Sequence, residues 1–187
     1  MANLSCTDGL IDERYSFYKH IDEYLQYEKN CPQGNHYNQY ENKCKLGISY
    51  DDREENIISA ICLRFYCLMY NILKSDSSQY TRNEHIHLEY LKYWLNYELH
   101  NKIADTYPIL FHKYMKINNP SNPLVLKLDK IWDNIDDDEL ENMNLLFYFY
   151  INCIYIIKSA TKVDANDSFA VKDDNHCVQK YQELEIK

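Results

Sequence analysis

The chain has 187 residues, a formal net charge of −9 and 45% apolar residues, which is enough for one domain with a substantial core. Its three glycines are too scattered for a phosphate loop or a dinucleotide-binding turn, and too few for the turns of an all-β sandwich. The acidic balance argues against general nucleic-acid binding, which needs a positive surface.

Apolar residues recur with helical spacing from the first part of the chain onwards. The first predicted helix covers residues 10–29 and stops before Pro32, because the residue before a proline is disfavoured in the helical region. A polar loop follows at 31–50, held mainly by the apolar side chains Tyr37, Tyr40, Leu46 and Ile48. A loop of this length is usually functional or cross-linked.

The second and third predicted helices carry the clearest patterns. In the second helix, Ser49, Asp51 or Asp52 is a candidate cap, and apolar residues then keep the 3.6-residue period from Ile57 to Ile72. The third, at 83–102, has an apolar face wide enough to contact more than one neighbour. Its core motif comprises Tyr90, Leu91, Tyr93, Trp94 and Leu95. We expect Trp94 to be buried and structural.

The remaining predicted helices begin near Pro108, Pro123 and Asp136. The last one reaches residue 158 and is apolar nearly all round, as is typical of a central helix in a bundle. Beyond it the sequence is polar, so we divide the chain into a helical domain at 1–158 and a tail at 159–187 with a short terminal helix. The predicted fold is all-α, an irregular bundle of about five to seven helices with a disulfide-stapled N-terminal loop.

The cysteines are too few for a scaffold held by disulfides alone, and they stand at positions Cys6, Cys31, Cys44, Cys62, Cys67, Cys153 and Cys177. None has the paired spacing of a zinc site. Cys62 and Cys67 lie on different faces of one helix and cannot bond to each other. We expect two disulfides, with the pairing open, among Cys6, Cys31, Cys44 and Cys62.

The other cysteines leave further alternatives. Cys153 would pair with Cys67 or Cys177, and the odd number leaves at least one thiol over. All seven thiols being reduced is the competing hypothesis, which would indicate a reducing compartment.

Signals for catalysis or cofactors are weak. The chain has no Gly-x-Ser-x-Gly and no His-Glu-x-x-His, and His85 and His87 diverge on a helix, so that they cannot share one ion. We therefore expect no enzymatic activity, no cofactor and no catalytic, cofactor-binding or metal-binding residue. The longest apolar run, at 145–157, is shorter than a membrane span, and the N-terminus lacks a signal-peptide pattern.

Two stretches carry a family resemblance. Residues 88–97, Leu-Glu-Tyr-Leu-Lys-Tyr-Trp-Leu-Asn-Tyr, following the apolar stretch at 61–70, resemble the PIR multigene family of malaria parasites. They are most similar to the Vir branch, with its Cys-x-Tyr-Leu-x-Tyr-Trp-Leu core, whose cysteine would fall at Leu88. The Cys31/Cys44 loop and Cys153 are similar in order and spacing, and the resemblance covers about residues 6–158.

The resemblance implies a variant surface or exported antigen of the parasite. Such a protein is exported to the infected red cell, at its surface or in its cytoplasm, and would evade immunity or bind a host cell-surface protein or antibody. Family members often carry a later transmembrane helix. We expect no membrane span in this chain, which would be the extracellular part of an anchored protein or a short anchorless member.

A second hypothesis stays open. It is an intracellular helical adaptor or scaffold that binds a partner helix through an aromatic face, with reduced cysteines.

Overall fold

The structure, a computed structural model, describes residues 13–31, 38–45, 51–74, 84–103, 108–130 and 133–161. Within these ranges the chain forms six α-helices and no β-strand, which confirms the all-α prediction. The α-helices are α1 (Ile21–Asn30), α2 (Asp52–Lys74), α3 (Glu84–Lys102), α4 (Pro108–Asn118), α5 (Pro123–Lys127) and α6 (Asp137–Thr161). Short 3₁₀ helices lie at Glu13–His20, Asn38–Lys43 and Leu128–Lys130.

Helix α2 begins where the sequence predicts. The Asp51 carboxylate accepts hydrogen bonds from the backbone N–H groups of Arg53 at 2.7 Å and Glu54 at 3.4 Å. In the first turn of a helix such groups have no acceptor within the helix itself. The helix then runs for 23 residues with one apolar face turned towards the protein. Among the described helices, α2 alone is long and apolar enough to cross a membrane. We interpret it as a core helix because it packs along α3 and α1.

Helices α2 and α3 form the centre of the bundle. Their facing sides bury Phe65 and Trp94, whose rings stack with centroids 5.9 Å apart. The N-terminal 3₁₀ helix and α1 cover α3, where the rings of Tyr24 and Tyr90 stack at 3.9 Å. Aromatic side chains therefore fill most of the space between these elements.

Several buried tyrosines are hydrogen-bonded across elements. The Tyr18 hydroxyl donates to the Met143 carbonyl at 2.6 Å, and the Tyr93 hydroxyl donates to Asn144 Oδ1 at 2.7 Å. A buried hydroxyl without such a partner would cost folding free energy. Burial also raises the pKa of Tyr18 and Tyr93, which keeps both hydroxyls protonated as donors.

Helix α6 does not hold the central place predicted from its sequence. It packs against α1, α3 and the N-terminal 3₁₀ helix, and its fully buried side chains include Leu140 and Met143. Tyr148 and Tyr155 are 45% and 57% exposed. The prediction of a central helix was wrong because α2 and α3 already bury each other's apolar faces, which leaves α6 at the side of the pair.

Two other predicted boundaries differ from the structure. The first predicted helix is divided into a 3₁₀ helix and α1, and α6 continues to Thr161, beyond the predicted end at residue 158. The predicted terminal helix after Cys177 lies outside the described residues. The division of the chain at residue 158 stays a prediction.

Candidate functional site

Two disulfides attach one segment of the chain to α2. Cys31 directly follows α1 and bonds to Cys67, and Cys44 directly follows the 3₁₀ helix Asn38–Lys43 and bonds to Cys62. The paired Cα atoms are 5.6 Å and 5.5 Å apart, within the usual range for disulfides. We call residues 31–44 the anchored segment, because both of its ends are covalently bound to the same helix.

The pairing confirms a disulfide-stapled N-terminal region and corrects the predicted set of partners. Cys67 takes the place expected for Cys6, which lies outside the described residues. Five residues on a helix turn about 140° further round the axis, so Cys62 and Cys67 face opposite sides of α2. Each of these two cysteines is bonded to one end of the anchored segment. Sequence spacing alone could not reveal this, because it does not show which sides of α2 the loop ends reach.

The two remaining alternatives for Cys153 have different outcomes. The prediction that Cys153 pairs with Cys67 was wrong, since Cys67 bonds to Cys31. Pairing with Cys177 lies outside the described residues. Cys153 itself is half-buried on α6.

Non-covalent contacts also hold the anchored segment on α2. The Tyr40 ring stacks on the Tyr66 ring with centroids 4.4 Å apart and planes 6° apart. Ser59 Oγ donates to the Cys44 carbonyl at 2.8 Å. Of the anchoring side chains predicted from sequence, Tyr40 thus has this role, and Tyr37, Leu46 and Ile48 lie outside the described residues.

A cavity of about 430 Å³ lies beside the anchored segment. Tyr40 and Lys43 form one wall, and residues 119–124, between α4 and the start of α5, form the other. Asn119 is buried and donates through its amide to the Tyr66 hydroxyl, so the second wall is fixed to the same tyrosine on which Tyr40 stacks. Lys43 is exposed, as is Glu41, which belongs to the same 3₁₀ helix. The result is a firmly supported surface of mixed polar and apolar character.

The predicted core motif does not line this cavity. The prediction that Trp94 is buried is confirmed, at 3% exposure, and the other four members are also buried in the core: Tyr90, Leu91, Tyr93 and Leu95.

A charged network links α1, α2 and α3. Arg64 Nη1 donates to Glu98 Oε2 at 2.9 Å, and Lys102 Nζ donates to the same oxygen at 2.5 Å. Arg64 Nη2 lies 3.7 Å from Glu28 Oε2, and the other carboxylate oxygen of Glu28, Oε1, accepts a hydrogen bond from the Tyr90 hydroxyl. Burial raises the pKa of Glu28, while the Tyr90 hydrogen bond and the Arg64 charge act in the opposite direction. The sequence gives no signal for this network, since its partners come from three separate helices.

Within the described ranges, no three His, Cys, Asp or Glu side chains are placed to hold one metal ion. His87, one of the two histidines that diverge on the third predicted helix, has its Nδ1 atom 2.8 Å from the Tyr24 hydroxyl. The chain matches no family model, no curated protein and no solved structure. The anchored segment and its cavity are therefore the candidate site on their geometry alone.

Proposed function

We propose that this chain is a non-enzymatic binding domain, a variant surface or exported antigen of the kind its PIR-like and Vir-like sequence implies. The anchored segment is the part that meets a host cell-surface protein or an antibody. The proposed location is the infected red cell, at its surface or in its cytoplasm.

One observation carries the proposal: both ends of the anchored segment are bonded to a single core helix. Cys62 and Cys67 belong to α2, which packs against α1, α3 and α5. Exposed positions between the bonds are free to change sequence, because the core does not depend on them. This is the property that a displayed and variable surface needs. Disulfides of this kind also persist in oxidising surroundings, which suits an exported protein.

The alternative, an intracellular adaptor, has less support. It requires an aromatic helix face that is open to a partner helix, yet Tyr90, Tyr93 and Trp94 are buried against other parts of the same chain. It also requires reduced thiols at the positions where two disulfides form.

The test is a binding screen of the folded domain against a panel of recombinant host cell-surface proteins. For any partner found, we would compare wild type with the Glu41→Ala/Asn42→Ala/Lys43→Ala variant, which changes only exposed side chains of the anchored segment. The matched control is Lys19→Ala/Lys113→Ala, also exposed and outside the segment. We expect at least a tenfold loss of affinity in the first variant and none in the control. Equal affinity of both variants would show that the segment is not the binding surface.

A further inference from the structure

An open groove of about 630 Å³ runs along the outer side of the first half of α2. Its floor is apolar and its rim is cationic. The residues that define it are Arg53, Asn56, Ile57, Ala60, Ile61 and Arg64 from α2, with Lys102 from the end of α3. None of them belongs to the anchored segment, so the groove is a separate surface and the inference drawn from it is independent of the proposed function.

Helical geometry places the cations and the floor on one line. With 100° per residue, Ala60 and Arg64 each lie within about 20° of Arg53 around the axis of α2, on opposite sides of it, so the three residues share a strip about 40° wide. The acidic residues of the first turn do not share it: Asp52 and Glu54 are rotated from Arg53 by about 100° in opposite directions, and Glu55 by about 200°. The line therefore carries positive charge at both ends and no carboxylate between them.

The side of α2 that carries Arg53, Ala60 and Arg64 is open in the first half of the helix, whereas other parts of the chain cover it in the second half. Further along, it reaches Cys67 and Asn71, and both lie against Cys31 at the end of α1: Cys67 is bonded to it, and Asn71 Nδ2 is 3.6 Å from its sulfur. In the first half, Arg53 and Ala60 are exposed.

The rim keeps an excess of positive charge in a chain whose net charge is −9. The buried Glu98 carboxylate is shared by Arg64 and Lys102, at 2.9 Å and 2.5 Å, so one carboxylate faces two cations. Glu28 lies farther from Arg64, at 3.7 Å, and Arg53 at the other end is exposed. Glu98 also fixes the direction of both cations, which lowers the entropy lost when they bind an anion.

We propose that this groove binds an amphipathic helix of a partner protein, with an apolar face and carboxylates about three turns apart. Arg53 and Arg64 are eleven residues apart on α2, or about 16 Å along the axis, the length of three helical turns. A helix laid in the groove would pack apolar side chains on Ala60 and its neighbours and place carboxylates beside the two arginines. A small molecule suits this shape less well, because small ligands are normally enclosed by their pocket, whereas this groove is open along its length.

The experiment uses the full chain and three fluorescein-labelled synthetic helical peptides of fifteen residues. The peptides share one Leu/Ala face and differ at two positions eleven residues apart, which hold Glu, Gln or Lys. Fluorescence anisotropy should show that the Glu peptide binds at least tenfold more tightly than the Gln peptide, and that the Lys peptide binds most weakly. Affinity for the Glu peptide should fall as salt is raised.

Matched variants locate the binding. Arg53→Glu/Lys102→Glu should lower the affinity for the Glu peptide at least tenfold. Lys19→Glu/Lys113→Glu should leave this affinity unchanged, although it changes the net charge by the same amount, because both positions are exposed and lie outside the groove. Ala60→Trp fills the floor at an exposed position without changing charge, and should also weaken binding. Circular dichroism establishes that each variant is folded.

Three results would overturn the inference: no binding of the Glu peptide, equal binding of the three peptides, or wild-type affinity in both Arg53→Glu/Lys102→Glu and Ala60→Trp. A fourth result would assign the groove to a lipid-like anion. It is that dodecanoate binds more tightly than the Glu peptide, and that Ala60→Trp abolishes the binding of both. Because substitutions at Glu41, Asn42 and Lys43 leave the groove unchanged, failure here is separable from failure of the proposed function.

Discussion

The guanidinium of Arg64 lies over the indole ring of Trp94, with its carbon 5.0 Å from the ring centroid. Phe65, the next residue on α2, stacks against the same ring at 5.9 Å. Two consecutive residues of α2 therefore hold one tryptophan of α3, one through its charge and the other through apolar contact. The packing of α2 against α3 depends on this tryptophan.

Replacing Trp94 with alanine should destabilise the domain strongly. Truncation of a large buried aromatic side chain costs about 3–5 kcal/mol in unfolding free energy, because packing is lost and a cavity remains. Guanidinium denaturation followed by circular dichroism measures the change. Trp94→Phe keeps an aromatic ring in contact with Arg64 and Phe65, so it should lose less unfolding free energy than Trp94→Ala. Unchanged stability in Trp94→Ala would show that this side chain does not hold the two helices together.

The disulfide pairing predicts a definite peptide map. Trypsin cleaves after Lys43, Lys45, Arg53 and Arg64, which places Cys31, Cys44, Cys62 and Cys67 on four different peptides. Without reductant, mass spectrometry should find peptide 30–43 linked to 65–74, and peptide 44–45 linked to 54–64. Reduction should release all four. A link between 30–43 and 54–64 would contradict the described pairing.

Removing the two disulfides should have unequal effects. The bonds join residues 36 and 18 positions apart, and chain-entropy arguments give stabilisations of about 4 and about 3 kcal/mol for each bond formed alone. Because the shorter loop lies inside the longer one, the difference between the two is smaller when both bonds are present, but its order is the same. The Cys31→Ser/Cys67→Ser variant should therefore be less stable than Cys44→Ser/Cys62→Ser in urea denaturation. Under reducing conditions, the unfolding free energy of both variants should approach that of the reduced wild type. The reverse order would indicate that native contacts, such as Tyr40 on Tyr66, outweigh the entropy of the unfolded chain.

The sequence predicted the elements well because their signals are local. The Asp51 cap, the apolar period of α2 and the prolines at 108 and 123 all act within a few residues, and the helices begin near them. The place of α6 was predicted wrongly because a helix that is apolar on every side does not reveal how many neighbours it has.

The candidate site depended on contacts that no local pattern records. Cys31 and Cys67 are 36 residues apart, and their pairing depends on where α1 ends relative to α2. The groove also depends on tertiary structure, since Lys102 comes from the end of another helix. What the sequence does show is that Arg53 and Arg64 share one side of α2 with Ala60 between them, and this pattern becomes meaningful only once that side is seen to be open.

The partly buried Glu28 carboxyl should give the domain a measurable pH dependence. Burial raises its pKa in the folded state above its ordinary value, so the folded state holds this proton more tightly than the unfolded state does. Between the unfolded and the folded pKa, the contribution of Glu28 to unfolding free energy therefore decreases as pH rises, and it is fully present only below the unfolded pKa. Glu28→Gln keeps an acceptor for the Tyr90 hydroxyl but does not titrate.

The measurement is urea denaturation of wild type and Glu28→Gln in steps from pH 4 to pH 8. The stability of wild type relative to Glu28→Gln should fall as pH rises through the raised pKa and then level off. Glu41→Gln, at an exposed site, is the matched control for a lost carboxylate. A relative stability that rises with pH would mean that attraction to Arg64 outweighs burial, and would reverse the assigned direction of the Glu28 pKa.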